Sequence, residues 1–460
     1  MKIGFLPLYV KLYDDIIPQV RPRHEAFYAE LTKMLEEGGA TVVTSPFCRL
    51  KDEFAAAVKK FEAEGVDAIV THHIAYSPSL ECIDALAGTK LPVIILDTTS
   101  TLEFDNMQDP EEIDFCHGIH GVMDMCSMLI RRGKDFAIAA GHYKESDVVA
   151  RTLGYARAAV AAKALTGARV ARVGGPFAGM GDFVVPFKEM KKRFGIEAFD
   201  IDKKKLEAYS ASITKEEIEA EIKDNEARFD FEGKIDPAEY ELTIRSCLAM
   251  KKCIEGEGLT AFTATFTGMG REQCGLDVMP FIECCKAMER GIGYAGEGDT
   301  LTAAFTGAFL KGYPETTFCE IFCPDWKNNL VFMSHMGELN YRIAGVKPTL
   351  SRVGTNFSPT AYPYVAYTRM KGGKGVYANI CRGKDDFKLV IAETEMVSYK
   401  KDNFAGSMRG WMTTGKLTCG EFLEKISQNG ATHHSAFLYG ATAEELKFFG
   451  KLVGLEVVEL

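Results

Sequence analysis

At 460 residues, with 47% hydrophobic and 26% charged residues, the chain has a globular make-up and exceeds one ordinary core, so two or three domains are expected. A formal net charge of -10 argues against a nucleic-acid binder, which needs a basic face for phosphates. Thirteen cysteines without a CxxC motif, an N-terminus (MKIGFLPLYV) that reads as a strand rather than a basic leader, and no apolar run of bilayer length give the expectation of a reduced, cytoplasmic chain with no membrane partner.

Residues 1–165 alternate strands and helices. MKIGFLPLY, ATVVTSP, VDAIVTHH, LPVIILDTT and DFAIAAGHY read as strands. HEAFYAELTKMLEEGG and LKDEFAAAVKKFEAEG read as helices closed by glycine, followed by ECIDALAG, DFCHGIHGVMDMCSMLIRRG and ESDVVARTLGYARAAVAAKALTG. Apolar strands alternating with helices predict a doubly wound parallel sheet, with ligands beyond the carboxyl ends of its strands. A second α/β unit spans 166–312: ARVARVGG and GIEAFDID as strands, a charged helical stretch, AEYELTIRSCLAMKKCIEGEG as a helix, LTAFTATFTG as a strand and FIECCKAMERG as a helix. From 313 to 460 strand-like, aromatic-rich segments follow one another with few helices: TTFCEIFCPDW, NLVFMSHM, YPYVAYTRM, KGVYANICR, FKLVIAETEMVSY and HHSAFLYG. This predicts a mainly antiparallel, barrel-like third domain.

The chemistry concentrates between Gly291 and Asn340. Glu297 stands between glycines that let a ligand or metal approach the backbone, and equally precedes a helix N-terminus capped from Gly298-Asp299-Thr300. Glu320 lies on the apolar strand Phe318-Cys319-Glu320-Ile321-Phe322, where alternation puts Phe318, Glu320 and Phe322 on one face. His335, in FMSHMGE, reads alone as a satisfied core histidine. His433 and His434 follow a glycine turn; as strand neighbours they point to opposite faces, so one of them at most is expected to reach the site and the other to orient it. His117 and His120 stand one helical turn apart, and helix packing accounts for them equally well. The cysteines have no zinc-finger spacing and read as buried thiols, and the loop Gly179-Met180-Gly181-Asp182 lacks the dinucleotide fingerprint.

In this order, GYAGEGD, FCEIF, MSHMGE and GATHH resemble the motifs of the L-arabinose isomerase and L-fucose isomerase superfamily, and the arabinose isomerase branch more closely. Weaker echoes, THHIAYSPS, HGIHGVMD, GHY and TATFTG, extend the resemblance over most of the chain. The resemblance implies a metal-dependent aldose–ketose sugar isomerase working through an enediol. Its divalent ion, Mn²⁺ before Mg²⁺ or Co²⁺, is held by Glu297, Glu320, His335 and His434, with Glu297 and Glu320 also as acid and base. It further implies His120, Met180, Phe266 and His433 as substrate contacts, a sugar as the small-molecule partner, and a homo-oligomer, trimer or hexamer, in which His120 reaches a neighbouring subunit's site. An epimerase or lyase on the same site, or a non-catalytic sugar-binding protein, are the alternatives. The family's GDNMR loop is rebuilt here as GGPFAGMGD, and its first-domain glutamine loop is not evident in FLPLYVKLYD, so the reaction type carries over further than the sugar.

Overall fold

Strands that are buried along nearly their whole length must be covered on both faces, and the centre of the first sheet is built from such strands. The sheet consists of β1 (Lys2–Leu8), β2 (Thr41–Thr44), β3 (Ala68–His73), β4 (Val93–Asp97) and β5 (Phe136–Ala140), all parallel in the order β2-β1-β3-β4-β5. The buried strands at its centre are β1, β3 and β4, with the more exposed β2 and β5 at its edges. Every residue of β3 is buried, its two histidines included. Helices pack on this sheet around Phe54, Phe61, Leu86, Met125 and Leu129. The computed structural model describes residues 1–460, in two compact units, Met1–Val160 and Ala161–Leu460; the boundary falls inside the helix Val148–Thr166.

The helix expected over 114–133 is broken. It forms as Ile113–Cys116 and Ile119–Arg131, with the backbone leaving helical geometry at His117; the next residue, Gly118, passes so close to the His73 carbonyl that a side chain there would collide with it.

The second unit opens with β6 (Arg169–Val173), β7 (Glu197–Asp200), β8 (Asp230–Phe231), β9 (Ala261–Ala264) and β10 (Gly293–Gly296). Four of these form a parallel sheet, β10-β9-β6-β7. Then come β11 (Thr316–Asp325), β12 (Leu330–His335), β13 (Thr349–Arg352), β14 (Tyr364–Tyr367), β15 (Gly373–Arg382), β16 (Phe387–Met396), β17 (Met408–Thr413), β18 (His434–Tyr439) and β19 (Glu456–Glu459). Six of them close a ring, β15-β18-β11-β12-β17-β16 and back to β15, with antiparallel pairing throughout. Closure removes the free edges that an open sheet would expose. β19 adds to β16 in parallel, and β8, β13 and β14 form a small separate sheet. The fold is thus two parallel α/β sheets followed by a barrel of antiparallel strands.

One helix joins the parallel sheet of the second unit to its barrel. Thr300–Gly312 is buried at every position except Lys311, as a helix enclosed on all sides must be. It packs on β9 and β10 on one side and on β11 and β18 on the other. Its N-cap, Asp299, stands two residues after Glu297, so this packing carries the β10 turn towards the barrel strands. All thirteen cysteines are free thiols, ten of them buried. No helix is long and apolar enough to cross a membrane.

Candidate active site

Glu297, Glu320, His335 and His434 come together in the second unit. Glu297 occupies the turn between β10 and Thr300–Gly312, Glu320 the middle of β11, His335 the end of β12 and His434 the start of β18. β11 pairs with both neighbours at this level, Glu320 opposite Ser334 on one side and His434 on the other. The Nε2 of His335 lies 4.0 Å from a Glu320 oxygen, and the Nε2 of His434 lies 3.8 Å from a Glu297 oxygen. Glu320, His335 and His434 offer ligand atoms within 4.8 Å of one another, and so do Glu297, His433 and His434.

The backbone at Glu297 is left-handed, with φ at 61°, one of two non-glycine residues in that region. Such a conformation costs about 1–3 kcal/mol and persists only where its surroundings hold it. Here the Glu297 N–H donates to the Ala264 carbonyl (3.0 Å), its carbonyl accepts from Phe177 N–H (2.9 Å), and Gly298 N–H donates to Thr263 Oγ1 (2.9 Å). Gly296 is required by contact: a Cβ there would stand 2.5 Å from His335 Cε1.

Each of the three imidazoles is pinned through Nδ1 by a carboxylate. His335 meets Glu338 at 2.7 Å, His434 meets Asp299 at 3.1 Å and His433 meets Asp182 at 2.7 Å. A carboxylate only accepts, so Nδ1 carries the proton and Nε2 is turned towards the two glutamates. The Nε2 atoms of His433 and His434 are buried without a hydrogen-bond partner. Such nitrogens beside carboxylate oxygens call for a proton or a cation between them; at His433 burial is outweighed by Asp182 and Glu297, which raise it to about 10. Carboxylate oxygens and imidazole nitrogens, oriented from behind by further carboxylates, form a donor set that fits a divalent metal.

Burial would raise the Glu297 carboxyl, but the His433 ring, with Nε2 3.5 Å away, and the charges of His335 and His434 hold it below the usual range. Burial pushes Glu320 up, and the histidines only partly offset it. For His335, burial is outweighed by the charge and hydrogen bond of Glu338, which raise it. The buried Glu338 is held low by His335, Gly337 N–H and the Tyr294 hydroxyl.

Three sequence expectations need correction. His433 and His434 both reach Glu297, at 3.5 and 3.8 Å, because β18 begins only at His434 and strand alternation does not govern His433. Phe322 does not share the face of Phe318 and Glu320: a bulge between Ile321 and Cys323 turns it out to 45% exposure, while Phe318 stays buried against His335 and His434. Asp299 is not a cap alone, since Oδ1 accepts from Thr302 N–H while Oδ2 faces His434. Glu338 was not singled out; its signal is an acid three residues after His335 on an apolar strand end.

Of the expected substrate contacts, Phe266 lies against Phe177 (5.3 Å between ring centres) and Phe357 (6.3 Å), and Met180 sits at the tip of the loop that carries Asp182. His120 belongs to the first unit, in an aromatic group with His117 and Tyr76, where His117 in turn bonds the Tyr13 hydroxyl.

Comparison with known proteins gives one family. A model of the L-arabinose isomerase central domain matches residues 187–311, and one of the L-arabinose isomerase C-terminal domain matches residues 315–456. The L-arabinose isomerase of Aeromonas salmonicida is 25% identical over 452 residues, 93% of this chain and 88% of that one. The Shouchella clausii L-arabinose isomerase is 24% identical over 469 residues, 99% of this chain and 93% of that one. The Tolumonas auensis enzyme is 31% identical over 222 residues, 46% and 43% of the two chains. Both domain models, together covering more than half of the chain, and relatives aligned along nearly its whole length agree: the chain belongs to the L-arabinose isomerase family of aldose–ketose isomerases.

Proposed function

We propose that this protein is a divalent-metal-dependent sugar isomerase whose ion is held by Glu297, Glu320, His335 and His434. The observation that carries the reading is the set of three imidazoles, each fixed at Nδ1 by a carboxylate and turned with Nε2 towards the two glutamates. Mn²⁺ suits two carboxylates and two neutral imidazole nitrogens better than Zn²⁺, with Mg²⁺ and Co²⁺ as alternatives. When bound, the cation supplies Lewis-acid stabilisation of the negative charge that develops on the two sugar oxygens.

The protein's own residues handle the protons. Converting an aldose to a ketose removes the proton from the carbon beside the carbonyl, moves a proton between the two oxygens, and returns one to the former carbonyl carbon. Glu297 and Glu320 are the acid and base for the carbon-bound protons, reaching the enediol from two sides. Their environments pull them apart, Glu297 towards the ionised form and Glu320 towards the protonated one, as paired acid–base carboxylates require. Phe183 and Phe318 furnish apolar surface against the imidazoles, while Met180, Phe266 and His433, with His120 reaching in from a neighbouring subunit, are the proposed sugar contacts. Assembly as a homo-oligomer, trimer or hexamer, accompanies this reading.

The test is a metal-supplemented screen of pentoses, hexoses, deoxy sugars and sugar acids for aldose–ketose interconversion. Conversion of at least one sugar, lost on chelation and restored by Mn²⁺, is expected. No interconversion of any of them with metal present would overturn the reading.

A further inference from the structure

The loop 174–186 between β6 and the helix Phe187–Phe194 touches the cluster at both of its ends. At its start the Thr265 hydroxyl donates to the Gly175 carbonyl, and a Cβ on Gly298 would stand 2.6 Å from that same oxygen. The loop thus runs against the turn that holds Glu297, and Phe177 N–H donates to the Glu297 carbonyl. Ala178, Gly179 and Gly181 are exposed. The chain then returns at Asp182, whose Oδ2 accepts both the backbone N–H of His433 (3.0 Å) and its Nδ1–H (2.7 Å). The next residue, Phe183, is 2% exposed and stacks on His434, ring centres 5.0 Å apart and planes 18° from parallel. On the far side of the His433 ring, Nε2 has no hydrogen-bond partner and lies 3.5 Å from Glu297 Oε2.

We propose that Asp182 is a positioning residue for the isomerisation: by gripping His433 through backbone and ring at once, it fixes the imidazole against Glu297 and thereby sets the orientation in which that carboxylate meets the sugar. The proposal rests on the isomerase reading of the site. Both side-chain bonds of Asp182 go to His433, so its effect on Glu297 passes through that ring. Without Asp182 the imidazole is free to turn about its own side-chain bonds, and Glu297 loses the neighbour that limits its rotamers. Partly exposed on a glycine-rich loop, Asp182 is open to substitution without disturbing the core.

The experiment compares full-length wild type with Asp182→Ala, Asp182→Glu, His433→Gln and the double variant Asp182→Ala/His433→Gln. In Asp182→Ala, which removes the oxygen that accepts both bonds from His433, kcat falls about 10–100-fold while KM stays within about threefold. Asp182→Glu, which keeps the carboxylate, recovers part of the loss. In the His433→Gln background Asp182→Ala has no further effect, because the two act as one unit. A second readout needs neither sugar nor metal. In the metal-free protein the downfield proton resonance of the His433 ring N–H disappears in Asp182→Ala and in His433→Gln alike, leaving those of His335 and His434. Undiminished kcat in Asp182→Ala, an equal further drop in the His433→Gln background, or a resonance unchanged by Asp182→Ala would each overturn the proposal alone. A wild type inactive on every sugar would overturn the isomerase reading and the proposal together.

Discussion

Glu297 combines two features that ordinarily exclude one another: a left-handed backbone that favours glycine and, in the proposed site, a side chain whose carboxylate is needed. The glycines on either side absorb the rest of the geometry. Gly296 leaves room for the His335 ring, and Gly298 lets the loop at Gly175 and Pro176 approach. A methyl group is therefore enough to disturb the site. Gly296→Ala would push the His335 imidazole away from Glu320, and a displacement near 1 Å costs about 100-fold in turnover. Steady-state rates on the preferred sugar, with circular dichroism as a check on folding, measure this; turnover within a few-fold of wild type would contradict the close approach. The carboxylates behind the imidazoles are equally specific, because Asp299 uses its two oxygens for two tasks, one on Thr302 N–H and one on His434.

At the scale of elements, β3 is the most unusual strand, since it ends in two buried histidines. Burial pushes His72 down to about 4 and His73 to about 3, with His72 adding to the effect on His73; His24 is also pushed down to about 4, by burial and then by His72. The sign is the reverse of a paired histidine. Above an unfolded value near 6.5 both states are neutral and stability is unaffected. Below it the unfolded chain takes up protons that the folded strand refuses, so stability falls down to about pH 3–4. Amide exchange across 68–73, corrected for intrinsic rates, is expected to lose protection between pH 6.5 and 4; protection constant over that range would contradict the assignment. The elements themselves were largely legible. Apolar runs marked β1, β3 and β4, and glycine closed several helices where expected. β17 and the helix Cys419–Gln428 were not read, since Arg409 and Gly410 interrupt the strand's apolar pattern. Yet Gly410 is there because a side chain would press on Met370 at 2.6 Å. In the candidate site the glycine-flanked Glu297 and the order of the motifs were readable. The bulge after Ile321, the late start of β18 and the pairing of Glu338, Asp299 and Asp182 with imidazoles depend on distant segments and left no local signal.

For the molecule as a whole, the proposed ligands come from the β10 turn, β11, β12 and β18, so a bound ion would tie together the parallel sheet and the barrel of the second unit. Both tryptophans, Trp326 and Trp411, lie in that unit, and their fluorescence reports its unfolding. Mn²⁺ at about 100 times its Kd is expected to stabilise the fluorescence-detected transition by about 2.7 kcal/mol, and chelation to remove the gain. An unshifted transition would mean that the ion does not bind the folded unit preferentially. Calorimetric titration of Mn²⁺ into metal-free protein, wild type beside Glu320→Gln/His335→Asn, tests whether Glu297, Glu320, His335 and His434 hold one divalent ion. One ion per chain is expected in the wild type, and an affinity weaker by at least about 100-fold in the variant. Equal binding by the two proteins, or no binding by the wild type, would contradict that ligand set.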